Sequence, residues 1–176
     1  GTSRPNFYFR YDDENRLTDY IGLYENGQYE SWHKYGYDAS DLAVKDTQWV
    51  FGTFGPEPDP ASFSITEHTY EYDALKRIVK RTSVDLIGGG APDVTTYTYD
   101  ADGNLAPGTY DDHVNFHRTN RIWMFVDRDY SKNLPIPAVS YNSWDLPLEF
   151  DTFSTPTTYN FLGQAVNISS FEYACP

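Results

Sequence analysis

Aromatic residues recur at every second position along several stretches of the chain, and most of the residues between them are polar. The clearest stretches are residues 7–11 (FYFRY) and 67–72 (EHTYEY). In the first of them, Phe7, Phe9 and Tyr11 share one face of an extended segment. Alternation of this kind, enriched in Tyr, Phe and Thr, is typical of β-strands with one face buried.

A short motif recurs after such alternating segments. It reads aromatic or apolar residue, any residue, Tyr, then Asp or Asn, with an apolar residue a few positions later. The tyrosines of its six copies are Tyr11, Tyr37, Tyr72, Tyr99, Tyr141 and Tyr159. Their spacing runs from 18 to 42 residues, which is too irregular for a solenoid of fixed period but fits hairpins with loops of different lengths.

Each copy of the motif predicts one β-hairpin. The Asp or Asn side chain can accept a hydrogen bond from a backbone N–H two residues further on. Glycine tolerates the positive φ that a tight turn requires, and Gly103 and Gly163 stand at that point of their copies. The apolar residue that follows then begins the return strand.

Other signals separate the hairpins from one another. Residues 25–27 (ENG) predict a turn. Residues 55–60 hold three prolines, which have no backbone N–H to donate to a strand ladder and therefore predict a loop. Residues 122–126 suggest one short helical turn. We therefore predict a single all-β domain over residues 1–176, built from serial antiparallel hairpins. The hairpins would form a strongly twisted sheet that is single-layered or curled towards a barrel.

Composition and charge restrict the partners. Aromatic residues make up 18% of the chain, which favours strands and argues against disorder. Asp and Glu outnumber Lys and Arg by 26 to 13, and a formal net charge of −13 repels phosphate backbones, so we expect no nucleic-acid partner. Since no apolar run approaches ~20 residues, no transmembrane segment is predicted. The single cysteine, Cys175, is predicted to be buried or half-buried and to pack as a small apolar side chain.

The repeat motif resembles a known family. Residues 99–105 read Tyr-Asp-x-x-Gly-x-Leu and resemble the YD repeat of RHS-type proteins, although Asn15 and Lys76 stand where the repeat has glycine. Residues 116–133 and 141–147 are similar to uncharacterised surface lipoproteins of gut Bacteroidetes. The resemblance implies an extended antiparallel sheet, a precursor with a lipid anchor and a removed signal sequence, and a location in the cell envelope, at the surface or in the periplasm. It implies no known chemistry.

Two motifs contain metal-binding residue types. Asp100, Asp102 and Asn104 alternate as in calcium loops, but calcium takes about six to eight oxygens and this spacing fits a turn better. His113 and His117 are four residues apart, as zinc-binding histidines can be, but the adjacent Glu of zinc proteases is missing. We predict neither a metal nor a cofactor.

No motif predicts catalysis. The chain contains no Gly-x-Ser-x-Gly nucleophile elbow, and the glycine run at 88–90 lacks the Lys-Ser/Thr ending of a phosphate-binding loop. Carboxylates are numerous, but an acidic chain has many without a catalytic pair among them. The protein is therefore predicted not to be an enzyme.

The abundant aromatic residues are the candidate binding groups. Trp144, Trp123, Trp32 and Tyr141 have flat apolar faces with polar edges, which suits sugars or peptides, although such residues also shield a thin sheet. Trp144 occupies a turn position, so it either folds back onto the sheet or faces a partner. Two functions follow: a structural or protein-interaction module of the envelope, or a glycan-binding surface protein in nutrient capture.

Overall fold

The chain divides into two compact units. A computed structural model describes residues 6–150, 158–161, 164–167 and 170–173. The two units are Gly1–Thr96 and Tyr97–Pro176. Both consist mainly of antiparallel hairpins, which confirms the predicted all-β class. The assignment of the whole chain to one domain stays a prediction, and Gly163 and Cys175 lie outside the described residues.

Unit 1 is built on one seven-stranded antiparallel sheet. The strands follow chain order without a crossover. They are β1 (Asn6–Tyr11), β2 (Leu17–Leu23), β3 (Gln28–Tyr37), β4 (Ala43–Thr53), β5 (Ser64–Tyr72), β6 (Ile78–Asp85) and β7 (Asp93–Thr96). Among the described residues, β1 and β7 each pair with one neighbour, so the sheet is open.

One buried cluster of unit 1, which includes Tyr29 and Trp32, lies beside the loop from β4 to β5. Trp32 of β3 pairs directly with Trp49 of β4, which puts both indoles on the same face. Phe54, at the start of the loop, stacks on Trp32 with ring centroids 5.6 Å apart. Arg10 of β1 lies over the Trp32 ring and donates hydrogen bonds to two loop carbonyls. The loop predicted at residues 55–60 is therefore held against the sheet.

The described residues of unit 2 combine short hairpins with one α-helix. The paired strands are β8 (Thr98–Tyr99) with β9 (Leu105–Ala106), β10 (Ser140–Tyr141) with β11 (Pro147–Glu149), and β12 (Thr158–Phe161) with β13 (Gln164–Asn167). A 3₁₀ turn (Phe116–Thr119) leads into helix α1 (Arg121–Asp127). The helix confirms the helical turn predicted at 122–126. Phe116, Leu134 and Phe150 form a buried cluster.

Five of the six motif copies form the same turn. Their Asp or Asn Oδ1 accepts hydrogen bonds of 2.8–3.1 Å from the backbone N–H groups two and four residues further on. These residues are Asp12, Asp38, Asp73, Asp100 and Asn142. The sixth copy differs, because Asn160 pairs with Ala165 inside the β12–β13 ladder and is not at a turn as predicted. The hairpin prediction was correct for this copy, but the placement of its turn was wrong.

Tyrosine hydroxyls, two of them from copies of the motif, stabilise neighbouring turns. In four turns, the carbonyl five residues after the Asp or Asn accepts a hydrogen bond from the hydroxyl of a later tyrosine. The pairs, donor first, are Tyr37–Leu17 (2.8 Å), Tyr72–Ala43 (2.6 Å), Tyr110–Leu105 (2.7 Å) and Tyr173–Pro147 (2.8 Å). Burial raises the pKa of Tyr37 and Tyr173 to about 12, so both hydroxyls keep their protons at neutral pH. These tyrosines therefore have a structural role.

The third residue after the Asp or Asn adopts a left-handed backbone conformation. It is glycine in one copy, Gly103, with φ 89°. Lys76 takes the same place with φ 60°, where an L-residue with a Cβ is strained by roughly 1–2 kcal/mol. Lys76 is therefore a site of local strain within an otherwise favourable turn.

We expect Lys76→Gly to raise the free energy of unfolding by roughly 0.5–1 kcal/mol. The relief of backbone strain exceeds the entropy that glycine adds to the unfolded chain. Urea unfolding followed by circular dichroism measures the change. The matched variant Gly103→Lys introduces the same strain and should lower stability by a similar amount. Unchanged unfolding midpoints in both variants would contradict the strain argument.

Candidate functional site

Trp144 lies at the tip of the β10–β11 hairpin and is 64% exposed. Its backbone N–H donates to Asn142 Oδ1 at 2.9 Å, so the turn that carries the indole is held in one conformation. The equivalent residues in the other four turns are Glu14, Ser40, Leu75 and Asp102. Trp144 is the one aromatic residue at this position, and its exposure shows that it is not folded onto the sheet.

Tyr141, on the same hairpin, stacks on His113. The two rings are 3.5 Å apart between centroids and 7° from parallel. The Tyr141 hydroxyl donates to Asp111 Oδ2 at 2.9 Å and accepts from the backbone N–H of Ala138 at 2.8 Å. Burial, together with the Asp111 carboxylate, raises the pKa of Tyr141 to about 12. Tyr141 is therefore a neutral, fixed member of a polar network.

Three carboxylates surround the His113 imidazole. Its Nδ1 lies 3.2 Å from Asp111 Oδ2 and 3.3 Å from Asp112 Oδ1. Its Nε2 lies 3.7 Å from Asp145 Oδ1, and Asp145 follows Trp144 in the same turn. The His113–Tyr141 stack is thus connected to the base of the turn that carries Trp144.

A cleft of about 370 Å³ opens beside this network. Carboxylates and side-chain amides dominate its lining, and Lys132 is the one basic residue among the described residues that line it. The acidic lining residues are Asp100, Asp102, Asp111 and Asp112. Such a lining accepts hydrogen bonds from hydroxyl, ammonium or guanidinium donors. Asp111 belongs to both the cleft and the Tyr141 network, so it joins the two.

His117 is the centre of a separate, buried network. Its Nε2 is 2.9 Å from Asp127 Oδ2 and its Nδ1 is 3.3 Å from Asp129 Oδ2. Asn115 Nδ2 also donates to Asp129 Oδ2 at 2.8 Å. Burial opposes protonation of His117, but the two carboxylates outweigh it and raise the pKa of the imidazole to about 9. His117 is therefore a buried cation with a structural role.

The two histidines that suggested a zinc site have different partners. His113 contacts Asp111, Asp112 and Asp145, whereas His117 contacts Asp127 and Asp129. Over the part of the chain that the structure describes, no group of three His, Cys, Asp or Glu is placed to hold a metal ion. The Asp100 motif forms the turn that the sequence indicated.

Three of the four predicted aromatic residues belong to unit 2, and the fourth, Trp32, belongs to unit 1. Trp144 and Tyr141 share one hairpin, and Trp123 lies half-buried on helix α1. Trp32 is completely buried in unit 1, where its Nε1 donates to Asp19 Oδ1 at 2.9 Å. Trp32 therefore belongs to the core and is not accessible to a ligand.

Sequence reasoning missed a group of exposed aromatic side chains in unit 1. Tyr24, Phe51 and Phe63 are 38%, 51% and 79% exposed. Strand alternation identifies the faces of a sheet, but it does not say which part of a face a loop will cover. For this reason, no sequence signal separated these residues from buried aromatics such as Trp32.

Comparison of the chain with known proteins identifies no family. Neither the family models nor the curated proteins contain a match to this chain. The resemblance to YD-repeat proteins therefore stays a prediction. None of the described helices is long and apolar enough to cross a membrane.

Proposed function

We propose that this protein is a non-enzymatic interaction module of the cell surface or periplasm that binds a partner protein through unit 2. The observation that carries the proposal is the exposed Trp144 on a rigid turn. When a partner covers an exposed aromatic side chain, the free energy of the system falls. Tryptophan is enriched among the residues that contribute most to binding at interfaces. The envelope location rests on the resemblance to surface lipoproteins.

The surroundings of Trp144 indicate the character of the partner. Asp145 of the same turn contacts His113, which Asp111 and Asp112 of the acidic cleft also contact. Complementary charge speeds association and disfavours wrong partners. We therefore expect the partner to present basic or hydrogen-bond-donating groups to the cleft beside an apolar contact with Trp144.

Glycan binding is the second candidate function, and the cleft supports it. Sugar sites combine an aromatic face with side chains that accept hydrogen bonds from hydroxyl groups. The cleft offers Asn104, Asn133 and four Asp carboxylates, with Tyr110 also in its lining. Such a role would serve nutrient capture at the cell surface.

A paired array screen with Trp144→Ala tests the proposal. The full chain is screened on peptide and glycan arrays, and its hits are measured by calorimetry. We expect binding to peptides with basic residues, weakened at least about tenfold in Trp144→Ala, because exposed aromatic anchors contribute about 2 kcal/mol or more to an interface. Leu75→Ala is the matched control, since Leu75 is an exposed apolar residue at the same turn position of another copy.

The outcomes separate the two functions. Unchanged peptide binding by Trp144→Ala, with folding intact by circular dichroism, would remove unit 2 as the binding surface. Micromolar binding to an oligosaccharide that Trp144→Ala abolishes would replace the protein-interaction function with glycan binding. Equal losses in Leu75→Ala and Trp144→Ala would show a nonspecific apolar effect.

A further inference from the structure

Tyr24, Phe51 and Phe63 form an exposed group of rings in unit 1, called here the Phe51 cluster. The Tyr24 and Phe51 rings are 6.4 Å apart between centroids and 10° from parallel. Phe63 approaches Phe51 edge-on, at 6.3 Å and 64°. Phe51 thus contacts both of the other rings, while more than a third of each residue stays in water. They therefore form a contiguous aromatic surface.

The backbone at Phe51 is strained. Its φ is +53°, in the left-handed region where a bulky residue is an outlier. The neighbouring chain holds this conformation, because the Phe63 N–H donates to the carbonyls of both Val50 and Phe51, at 3.0 and 3.3 Å. Glycine would adopt the same conformation without strain. Since the ring is half exposed, neither the backbone nor the core explains why phenylalanine stands here, and such strain is typical of functional positions.

A small cavity of about 140 Å³ adjoins the cluster. Its lining is Tyr24, Gln28, Tyr29, Phe51, Gly52 and Thr53. The buried Tyr29 is fixed by its hydroxyl, which bonds Ser62 Oγ at 2.8 Å and accepts from the Asp59 N–H at 2.6 Å. The Tyr29 ring also lies so close to Gly52 that a Cβ there would overlap its hydroxyl. The cavity therefore has a rigid wall.

The two chain segments that form the cluster carry acidic residues but no basic ones other than histidine. The sequence has no Lys or Arg from residue 17 to 33 or from 46 to 75, the two stretches that supply all three rings and the whole cavity lining. Burial and the nearby Glu30 carboxylate raise the pKa of the Tyr24 hydroxyl. Aromatic faces carry negative potential and attract cations, and a nearby carboxylate adds to that attraction.

We propose that the Phe51 cluster is a docking site for an arginine side chain of a partner protein. A guanidinium group is planar and stacks on aromatic faces, and its weak hydration makes it easier to desolvate than an ammonium group. The Gln28 amide oxygen and the Thr53 hydroxyl, both in the cavity lining, can accept its N–H groups. This inference deepens the proposed interaction function, but it uses a surface of unit 1, whereas Trp144 belongs to unit 2.

An NMR titration of the full chain tests the site. The probe is the peptide acetyl-Gly-Arg-Gly-Arg-Gly-amide, and the control probe is the same peptide with citrulline, which is neutral and nearly isosteric, in place of arginine. We expect saturable shifts of the Phe51, Gly52 and Thr53 amides with the arginine peptide and none with the citrulline peptide. Equal binding of the two probes would overturn the proposal.

Phe51→Gly separates binding from folding. We expect this variant to keep or raise the urea midpoint, because glycine adopts a positive φ without strain. We also expect its affinity for the arginine peptide to fall by about tenfold. Phe63→Ala should weaken binding as well, while Leu86→Ala, an exposed apolar control in unit 1, should not. Undiminished binding by Phe51→Gly, or arginine-dependent shifts that avoid Phe51, Gly52 and Thr53, would refute the assignment.

The same titration distinguishes this site from the others. A second titration uses chitopentaose. If chitopentaose shifts the Gly52 and Thr53 amides and the arginine peptide does not, the cluster is a sugar site and the proposal is refuted. Trp144→Ala should leave the peptide titration at the Phe51 cluster unchanged. A negative result for Trp144 in the array screen can therefore be told apart from a negative result for the Phe51 cluster in the titration.

Discussion

His117→Ala is expected to lower the stability of the protein by about 3–5 kcal/mol. The His117 side chain is buried, and its two ring nitrogens contact Asp127 and Asp129. Removing it leaves two largely buried carboxylates without their cation. Urea unfolding measures the loss. His113→Ala is the matched control and should cost less than about 1.5 kcal/mol, because the carboxylates around His113 include solvent-exposed ones.

The His117 network also predicts a dependence of stability on pH. Its folded-state pKa of about 9 lies above the ordinary value of 6.5, so the native state binds the proton more tightly than the unfolded state. The stabilisation is complete below about pH 6.5 and is lost as pH rises through 9. The urea midpoint should therefore fall between pH 6.5 and 9 in the parent protein, and this component should be absent from His117→Ala. Parallel pH profiles would show that His117 is not the cation inferred here.

Trp32→Ala should lower stability by about 3–5 kcal/mol, the range for deleting a buried tryptophan. The indole fills the space between the sheet, Phe54 and Tyr29, and its Nε1 satisfies the buried Asp19 carboxylate. The variant would leave a cavity and a buried carboxylate with fewer donors. Trp32→Phe should cost less, because the smaller ring preserves part of the packing.

Trp144→Ala provides the comparison for Trp32→Ala. Trp144 is exposed, so its removal should change the free energy of unfolding by less than about 0.5 kcal/mol. The two variants delete the same side chain from two environments. Similar losses in both would contradict the assignment of Trp32 to the core and of Trp144 to the surface.

The turns were predictable because their contacts are local. The Oδ1 atom of each turn Asp or Asn reaches N–H groups only two and four residues away, so a short motif contains all the groups involved. The turn between β2 and β3 has the same closing backbone bonds, from Tyr24 N–H to Gln28 C=O and from Gly27 N–H to Tyr24 C=O. Tyr24 stands there in place of the acid, which shows that the backbone geometry is more general than the motif. The sixth copy shows the opposite case, because it has the motif but its Asn160 lies within a strand and not at a turn.

The candidate sites were only partly predictable. The sequence singled out Trp144 because an apolar ring at a turn is unusual, and that residue is exposed. It grouped Trp32 with Trp144 because both are tryptophans near strands. Whether an aromatic side chain is covered depends on a loop elsewhere in the chain, here the segment after β4 that brings Phe54 onto Trp32. The Phe51 cluster escaped notice for the same reason.

The sequence by itself determined the all-β class, the position of five turns and the residues that close them, since these depend on backbone preferences and contacts within about five positions. The tertiary structure alone decided which aromatics are buried, that the Tyr37 and Tyr72 hydroxyls bind carbonyls 20 and 29 residues away, and that His117 is charged. These outcomes depend on which distant groups come together and how far they exclude water. Local patterning therefore specifies the hairpins, whereas long-range packing specifies burial, charge and the surfaces left open to a partner.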